Sequence, residues 1–427
     1  MDTQMILAIV IFVGCYFFIA TEKINKIIVA LAGAVIYMAL GFVPQAKAFA
    51  HYIDWNVVFL LIGMMIMVGV IRRTGLFEYV AIFLAKKAKG DPKKILLMLF
   101  FITGIFSALL DNVTTVVIIT PISILIAVEM GISPLPFVIT QAIASNIGGT
   151  ATLIGDPPNL MIGSAAGISF FGFVENLALF VLFNMIISSI VMYLFFRKKL
   201  VVSNERRARI MEFDEKQMIT DKGLLIYSLI VFALFLTLLF LQDILGLHAA
   251  TIALIAATAL MLRSKKVNVD DFISEEVEWG TIIFFIGLFI MVGALEEVGV
   301  IGLMSGKIMD LTHGNMKATA MSMVWTAGIA SAFIDNIPFV ATMIPMIKDI
   351  SASVGVEKVM PLWWALSLGA CFGGNGTLIG ASANVISAGI SKKSNYPISF
   401  WTFTKYGAVI TVINLITSTA FIAWRYF

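Results

Sequence analysis

Long apolar runs alternate with short polar breaks along the whole chain. Runs at Met5–Ala20, Ile27–Phe42, Trp55–Ile71, Phe171–Phe196, Leu224–Leu241, His248–Leu262, Trp279–Leu295 and Trp401–Trp424 predict spanning helices, since about 20 apolar residues cross the roughly 30 Å hydrocarbon layer. Ser145–Gly163 and Leu362–Ile390 are also apolar but are interrupted by glycine and small polar residues. Ile95–Val128 and Ala318–Ile350 are too long for one crossing and turn polar halfway along. Each of these two predicts a hairpin that enters and leaves on one side. The fold class that follows is an all-α polytopic membrane protein of about ten transmembrane helices.

Composition agrees with the pattern. Of 427 residues, 60% are hydrophobic and 13% charged, and the mean hydropathy is +1.00. A soluble chain carries about a quarter charged residues, so the surroundings of this one are a lipid bilayer. The formal net charge of +3 hides an uneven distribution. Ala85–Lys94, Arg197–Gly223 and Arg263–Asp271 are rich in lysine and arginine, and the positive-inside rule places all three in the cytoplasm. These runs flank spans and read as topogenic loops, with no nucleic-acid partner. Cys15 and Cys371 lie far apart in apolar segments and imply no disulfide. Met5–Ala20 lacks a basic leader and does not read as a cleaved signal. His51, His248 and His313 have no metal-cluster spacing, and no cofactor is expected.

The chain repeats itself. "DWNVVFLLIGMMIMVGVIRRTG" from Asp54 matches "EWGTIIFFIGLFIMVGALEEVG" from Glu278, at a spacing of 224 residues (55 to 279). The register holds through Asp111 with Asp335, Asn112 with Asn336 and Pro121 with Pro345. After one inserted residue, Thr152 meets Thr377 and Asn159 meets Asn384. The expected organisation is a first repeat over residues 1–196, a cytoplasmic linker over 197–223 and a second repeat over 224–427. With each hairpin re-entrant, each half crosses five times, and consecutive odd-crossing halves must be inverted. Arg72 and Arg73 stand where the second repeat has Glu296 and Glu297, as opposite faces would require. Both termini are expected outside, in the cell membrane. Inverted repeats around a central site are common in secondary transporters.

That arrangement gives the helix breaks a purpose. A break in mid-membrane exposes backbone groups that cost several kcal/mol each unless protein, water or ligand meets them. "SNIGGTATLIGDPPNLMIG" (Ser145–Gly163) supplies Gly148, Gly149 and Gly155 for irregular backbone, and Pro157–Pro158 to start a new half-helix. Ser145, Asn146, Thr150, Thr152 and Asn159 offer polar side chains. The second break offers Gly373, Gly374, Asn375, Thr377, Gly380 and Asn384, but lacks the Asp-Pro-Pro. One such segment could be helix packing; two at matching places, each with a polar hairpin, favour a substrate site. At the hairpin midpoints, Asp111 and Asp335 suit a tip because they cap the following helix. An ionisable group in the membrane interior is also usually functional. Both aspartates are therefore expected to couple transport to a proton or Na⁺, with Asp156 a third candidate that also reads as a cap for the Pro157 half-helix.

"FLLIGMMIMVGVIRRTGLFEYVA", "SALLDNVTTVVIITPI" and "NIGGTATLIGDPPNLMIG" resemble the ion transporter superfamily, over nearly the whole chain. The branch they resemble groups arsenite/antimonite permeases of the ArsB type with the melanosomal P protein; NhaD-type sodium–proton antiporters and dicarboxylate carriers are more distant. The resemblance implies inverted repeats, two re-entrant hairpins, two broken helices and a scaffold that forms a homodimer. It also places substrate and coupling ions between hairpin tips and helix breaks. Carried onto this chain, that site comprises Asp111, Asn112, Thr114, Thr115, Asn146, Gly148, Gly149, Thr150 and Thr152, with Asp335, Asn336, Gly373, Gly374, Asn375 and Thr377 in the other half. The second tip departs from the first, having Ile337-Pro338-Phe339 for Val113-Thr114-Thr115. Asp-Asn at both tips would repel a dianion, so the expected activity is proton-coupled efflux of arsenite or antimonite. Sodium or lithium exchange for protons, or anion transport, is the alternative. The chain is not expected to be an enzyme: no Walker lysine motif or His-Glu-x-x-His occurs, which leaves an ATPase only as a separate subunit.

Overall fold

The computed structural model describes residues 2–21, 23–263 and 268–427. All regular structure among them is helical. The first half comprises α1 (Thr3–Thr21), α2 (Lys26–Ala39), α3 (Trp55–Arg72), α4 (Leu76–Lys87), α5 (Pro92–Leu109), α6 (Asn112–Glu129), α7 (Leu135–Gly149), α8 (Pro157–Ala166) and α9 (Phe170–Phe196). The second half repeats the order as α10 (Lys222–Phe240), α11 (Ala249–Arg263), α12 (Trp279–Glu297), α13 (Val300–Leu311), α14 (Met316–Phe333), α15 (Asn336–Val354), α16 (Val356–Gly373), α17 (Ser382–Lys393) and α18 (Phe400–Tyr426). Each expected hairpin is a helix pair, α5–α6 and α14–α15. Each expected broken segment is a pair of half-helices, α7–α8 and α16–α17.

Local chemistry sets these boundaries. Asp91 accepts from the backbone N–H groups of Lys93 and Lys94 and precedes Pro92, a strong start for α5. Gly75 and Gly299 adopt φ of 79° and 78°, the left-handed region that lets α3 and α12 turn sharply into α4 and α13. They are counterparts 224 positions apart (75 to 299).

Packing follows a pseudo-twofold relation. α3 lies on α11 as α12 lies on α2. Gly63 faces Ala253, and its counterpart Gly287 faces Ala30, so close that a methyl group on either glycine would meet the neighbouring backbone below 3 Å. With α1 and α10, these helices form one body. The hairpins and broken helices form the other, and there the halves interlock. α8 packs against α15 and α16 of the second half, while α17 packs against α6 and α7 of the first.

The two membrane faces carry ion pairs of reversed polarity. On one face Arg72 meets Glu276 at 2.9 Å, and Arg73 meets Glu275 at 2.8 Å and Glu276 at 3.0 Å. The 197–223 segment lies on this same face. Lys86 bonds Glu215 at 2.6 Å, and Gly90 and Gly131 sit beside Arg207 and Arg206. On the other face Glu297 pairs with Lys47 and Tyr52. Two of the three basic runs are thus on one face, hereafter the basic face. The third run begins there at α11's end, but its residues 264–267 lie outside the described residues.

Candidate functional site

At the centre of the interlocked body, the irregular backbone of each break is closed by its own hairpin. Ser107 Oγ donates to the carbonyl of Ser145 at 2.6 Å, and Ser331 Oγ to that of Ala370 at 2.6 Å. The Thr152 hydroxyl donates to the Ala108 carbonyl and that of Thr377 to the Ala332 carbonyl. Asn159 Nδ2 reaches the carbonyls of Gly149, Thr150 and Thr152 at 3.4, 3.3 and 2.9 Å. Asn384 Nδ2 reaches those of Gly374 and Thr377 at 2.8 and 3.0 Å. Gly148 and Gly373 let α7 and α16 press onto the backbone of Gly104 and Gly328, where an added methyl would sit 2.2 and 2.4 Å from a carbonyl oxygen. Carbonyls that a membrane would leave bare are thereby satisfied. The hydroxyl donors of Thr150, Thr152 and Thr377 are committed to backbone: Thr150 bonds the Asn146 carbonyl at 2.8 Å.

The tips meet the breaks at a cluster of asparagines. Asn146 Nδ2 donates to Oδ1 of Asn375 and of Asn384, both at 2.9 Å, and its own Oδ1 accepts from Asn112 at 3.3 Å. Asn112 Oδ1, Asn375 Nδ2 and Thr115 Oγ1 are buried without a protein partner. Thr114 is half-buried and gives its backbone N–H to Asp111 at 2.7 Å. Asp111 thus caps α6, and Asp335 caps α15 through the Ile337 N–H at 3.3 Å. Asp156 does not cap α8: its side chain makes no capping bond. Because the helix crosses between halves, the carboxylate points at the opposite hairpin instead, 3.4 Å from Asn336 Nδ2 at both oxygens.

Beside the tips lies a cavity of about 230 Å³ that takes in Asp111, Asp335, Glu278, Thr281, Ser382 and Lys26. The Lys26 ammonium is 2.8 Å from Asp335 and 3.0 Å from Ser382 Oγ, and Ser382 in turn donates to Asp335 at 2.8 Å. Thr281 Oγ1 donates to Glu278 at 3.0 Å. Glu278 follows Glu275 and Glu276 closely, so this cavity lies towards the basic face. A larger cavity of about 610 Å³ occupies the other face, between Asp54, Glu296 and Lys348, and touches neither tip aspartate.

Sequence reasoning missed Lys26 and Glu278. Each stands immediately outside an apolar run, where a charge reads as an interfacial anchor. Only the shortness of the 14-residue α2 hints that Lys26 reaches the tip of the second hairpin. Ser382 had a visible signal, the hydroxyl that stands where the first half has Pro157.

Comparison with known proteins places the chain in a family. Residues 16–369 match the family model of citrate transporters, CitMHS. An uncharacterised transporter of Mycobacterium tuberculosis is 41% identical over 99% of both chains. The P protein of Mus musculus is 30% identical over 97% of this chain and 59% of its own length. Among solved structures, the YdaH transporter of Alcanivorax borkumensis superposes with a TM-score of 0.59 at 13% identity, covering 93% of this chain and 96% of that one. MtrF of Neisseria gonorrhoeae, described as one of a class of antimetabolite efflux pumps, gives 0.54 at 15% identity, over 92% and 84%. At these identities the two structures speak to the fold.

Proposed function

The chain belongs to the CitMHS citrate transporter family and is a secondary transporter, and we propose that it exports a small uncharged solute, arsenous or antimonous acid, in exchange for protons. The observation that carries this reading is the charge of the cavity at the tips. Its lining holds three carboxylates, Asp111, Glu278 and Asp335, against one ammonium, Lys26, which is bonded to Asp335. A citrate ion would meet net negative charge there, an arrangement that rejects rather than recruits an anion. A neutral oxyacid meets no such repulsion, and its hydroxyls suit the asparagine cluster. A second reading is exchange of Na⁺ or Li⁺ for protons. It is favoured by the unpartnered oxygens of Asn112 and Thr115 close to the Asp111 cap, since hard cations take carboxylate, carbonyl and hydroxyl oxygens.

In this reading the basic face is cytoplasmic and both termini are outside, in a cell membrane. The hairpin-bearing body moves against the body of α1–α3 and α10–α12, exposing the tips to alternate sides, and two copies associate as a homodimer. Each proton moving inward contributes about 2.3 kcal/mol per 100 mV to drive export. The test uses purified protein in liposomes with an internal pH reporter and an imposed pH gradient. Arsenite or antimonite is expected to evoke proton movement. A response to Na⁺ or Li⁺ alone replaces the first reading with the second, and a response to citrate alone overturns the charge argument.

A further inference from the structure

The two hairpins differ along their depth as well as at their tips. α6 and α7, packed together, carry Asn112, Thr115, Thr120, Ser123, Thr140 and Gln141, each at most 3% exposed. Ser123 Oγ donates to Gln141 Oε1 at 2.8 Å. Asn112 Oδ1, Thr115 Oγ1, Thr120 Oγ1, Thr140 Oγ1 and Gln141 Nε2 have no partner in the protein. At the counterpart positions, α15 and α16 carry Asn336, Phe339, Ile344, Ile347, Ala365 and Leu366. At these six matched positions the first half has six polar side chains and the second has one. A buried polar atom left without a partner costs about 1–3 kcal/mol, and protein interiors meet such atoms with ordered water. Five of them in one helix pair make a file of polar atoms for water to meet. From Asn112 to Ser123 it spans roughly 16 Å at about 1.5 Å per residue. It runs from the first tip towards the basic face, because α6 ends next to Gly131, which sits beside Arg206 of the linker.

The tips differ in a second, independent way. Asp335 is held by Lys26 and Ser382. The matched contacts of Ala30 and Ala253 set Lys26 opposite Ala249 in the internal alignment, and Ser382 stands opposite Pro157. Asp111 therefore has no ammonium in the equivalent place, and its hydroxyl partner is Thr114 of its own helix instead. The charged and titratable groups around it are Lys26 of α2, Glu278 before α12, Asp335 before α15 and Asp156 before α8.

We propose that coupling is confined to the first hairpin: Asp111 is the exchanging carboxylate, reached through the water held between α6 and α7, while Lys26 serves Asp335 as a built-in cation. In the step this describes, a hydronium ion at the end of the column gives its proton to a carboxylate oxygen of Asp111. Water is left behind, and the proton departs from that oxygen when the tip faces the other side. One proton is bound and one released per cycle, with no other bond changed. At Asp335 the ammonium supplies the positive charge permanently, so that tip needs none from solution. The coupling half of the proposal rests on the proton-exchange reading above; the hydrated column does not.

Three experiments test it. In a variant lacking Cys15 and Cys371, single cysteines replace Thr115, Thr120 and Thr140, or their counterparts Phe339, Ile344 and Ala365. Each is labelled with methanethiosulfonate ethylammonium, which needs a hydrated thiolate. The first-half positions are expected to react at least about tenfold faster. Equal rates overturn the column, whatever the protein transports. The second experiment counts protons moved per arsenite molecule in liposomes. Lys26→Met removes the cation from Asp335 and is expected to add a second proton to each cycle, while the pair Lys26→Met with Asp335→Asn returns the count to that of wild type. An unchanged count in Lys26→Met, or a raised count in the pair, overturns the built-in cation. Gln141→Leu is expected to slow proton-driven transport far more than arsenite counterflow; equal slowing means a structural role and overturns the route. If neither arsenite, antimonite, Na⁺ nor Li⁺ moves protons in wild type, the coupling reading itself falls and Asp111 loses its role, while the labelling still decides the column.

Discussion

The helix breaks and the cavity beside them descend from the same duplicated unit, yet their two copies are not alike to the same degree. In the bonds that close the breaks the two copies agree closely, although Cys371, Asn375 and Ala381 stand opposite Asn146, Thr150 and Asp156. Ser107, Thr152, Asn159 and Gly148 each do what Ser331, Thr377, Asn384 and Gly373 do, to the matching carbonyl or the matching glycine. Along the cavity and the hairpin interior the copies part: Ala249 stands for Lys26, Pro157 for Ser382, Phe339 for Thr115 and Leu366 for Gln141. The difference has a physical origin. An open backbone carbonyl in hydrocarbon is equally costly on either side of a membrane, so both copies need the same closure. A carboxylate near a transported solute has no such fixed requirement. Its partner sets what binds, and the two copies were able to diverge.

The largest effects should come from the shared closure and should be equal in both halves. Gly148→Ala and Gly373→Ala each drive a methyl group into a backbone carbonyl oxygen, of Gly104 and Gly328, that no rotamer change can move. Each is expected to cost about 3 kcal/mol, the upper end for overpacking, seen as loss of monodisperse protein on extraction. If one is tolerated and the other is not, the closure is not symmetric. Next come Asn159→Leu and Asn384→Leu. Asn159 also accepts from Ser367 at 2.7 Å, and Asn384 from Asn146 at 2.9 Å. Leucine removes the amide that ties each break together and leaves its carbonyls unpaired, at about 1–3 kcal/mol in either half. Thermal unfolding in detergent checks both.

Most of the fold was legible in the amino-acid sequence because lipid imposes a simple rule. A run such as Trp55–Ile71 must span, and a run such as Ile95–Val128 with Asp111 at its middle must turn. The 224-residue register then paired the elements, and the structure seats Gly63 and Gly287 on matching partners. The tips and breaks came together as the register and the family resemblance implied. What stayed hidden depended on depth and direction. Lys26 sits one residue before an apolar run, and nothing in a linear pattern tells an interfacial lysine from one folded inward onto Asp335. Asp156 precedes two prolines, the ordinary place for a cap. It turns to Asn336 only because α8 crosses to the other half, a packing relation that no local spacing encodes. The threonines had polar side chains in the right region, but which hydroxyls are committed to carbonyls is a matter of ångströms.

That last point makes a sharper test of the comparison. Thr152→Val and Thr377→Val keep the shape of the side chain and remove the donor to Ala108 or Ala332. A role in closure predicts a loss of about 1 kcal/mol in each, with the concentration dependence of arsenite-evoked proton movement unaltered. A shift in apparent affinity in either variant would move that threonine from the closure to the solute, and the division between the two regions would have to be redrawn.

The smallest effect is expected where there is no second copy at all. The 197–223 linker belongs to neither repeat, and Lys86 fastens it to the basic face through Glu215 at 2.6 Å. The hydrogen bond from the Lys86 ammonium holds the Glu215 carboxyl below the usual carboxylate range. A carboxylate lowered on folding stabilises the folded state above its unfolded value and loses that contribution as pH falls through its folded one. Lys86→Ala is therefore expected to lower the unfolding temperature slightly at neutral pH, and the gap from wild type should close as the medium is acidified below the carboxylate range. Because the pair is half-buried and still in reach of solvent, the shift should shrink with added salt as well. Solute-evoked proton movement should be unaffected, since neither the closed breaks nor the cavity at the tips touches this linker. A transport defect in Lys86→Ala would mean that the linker reports on, or restrains, the hairpin-bearing body, and that the duplicated halves do not work alone.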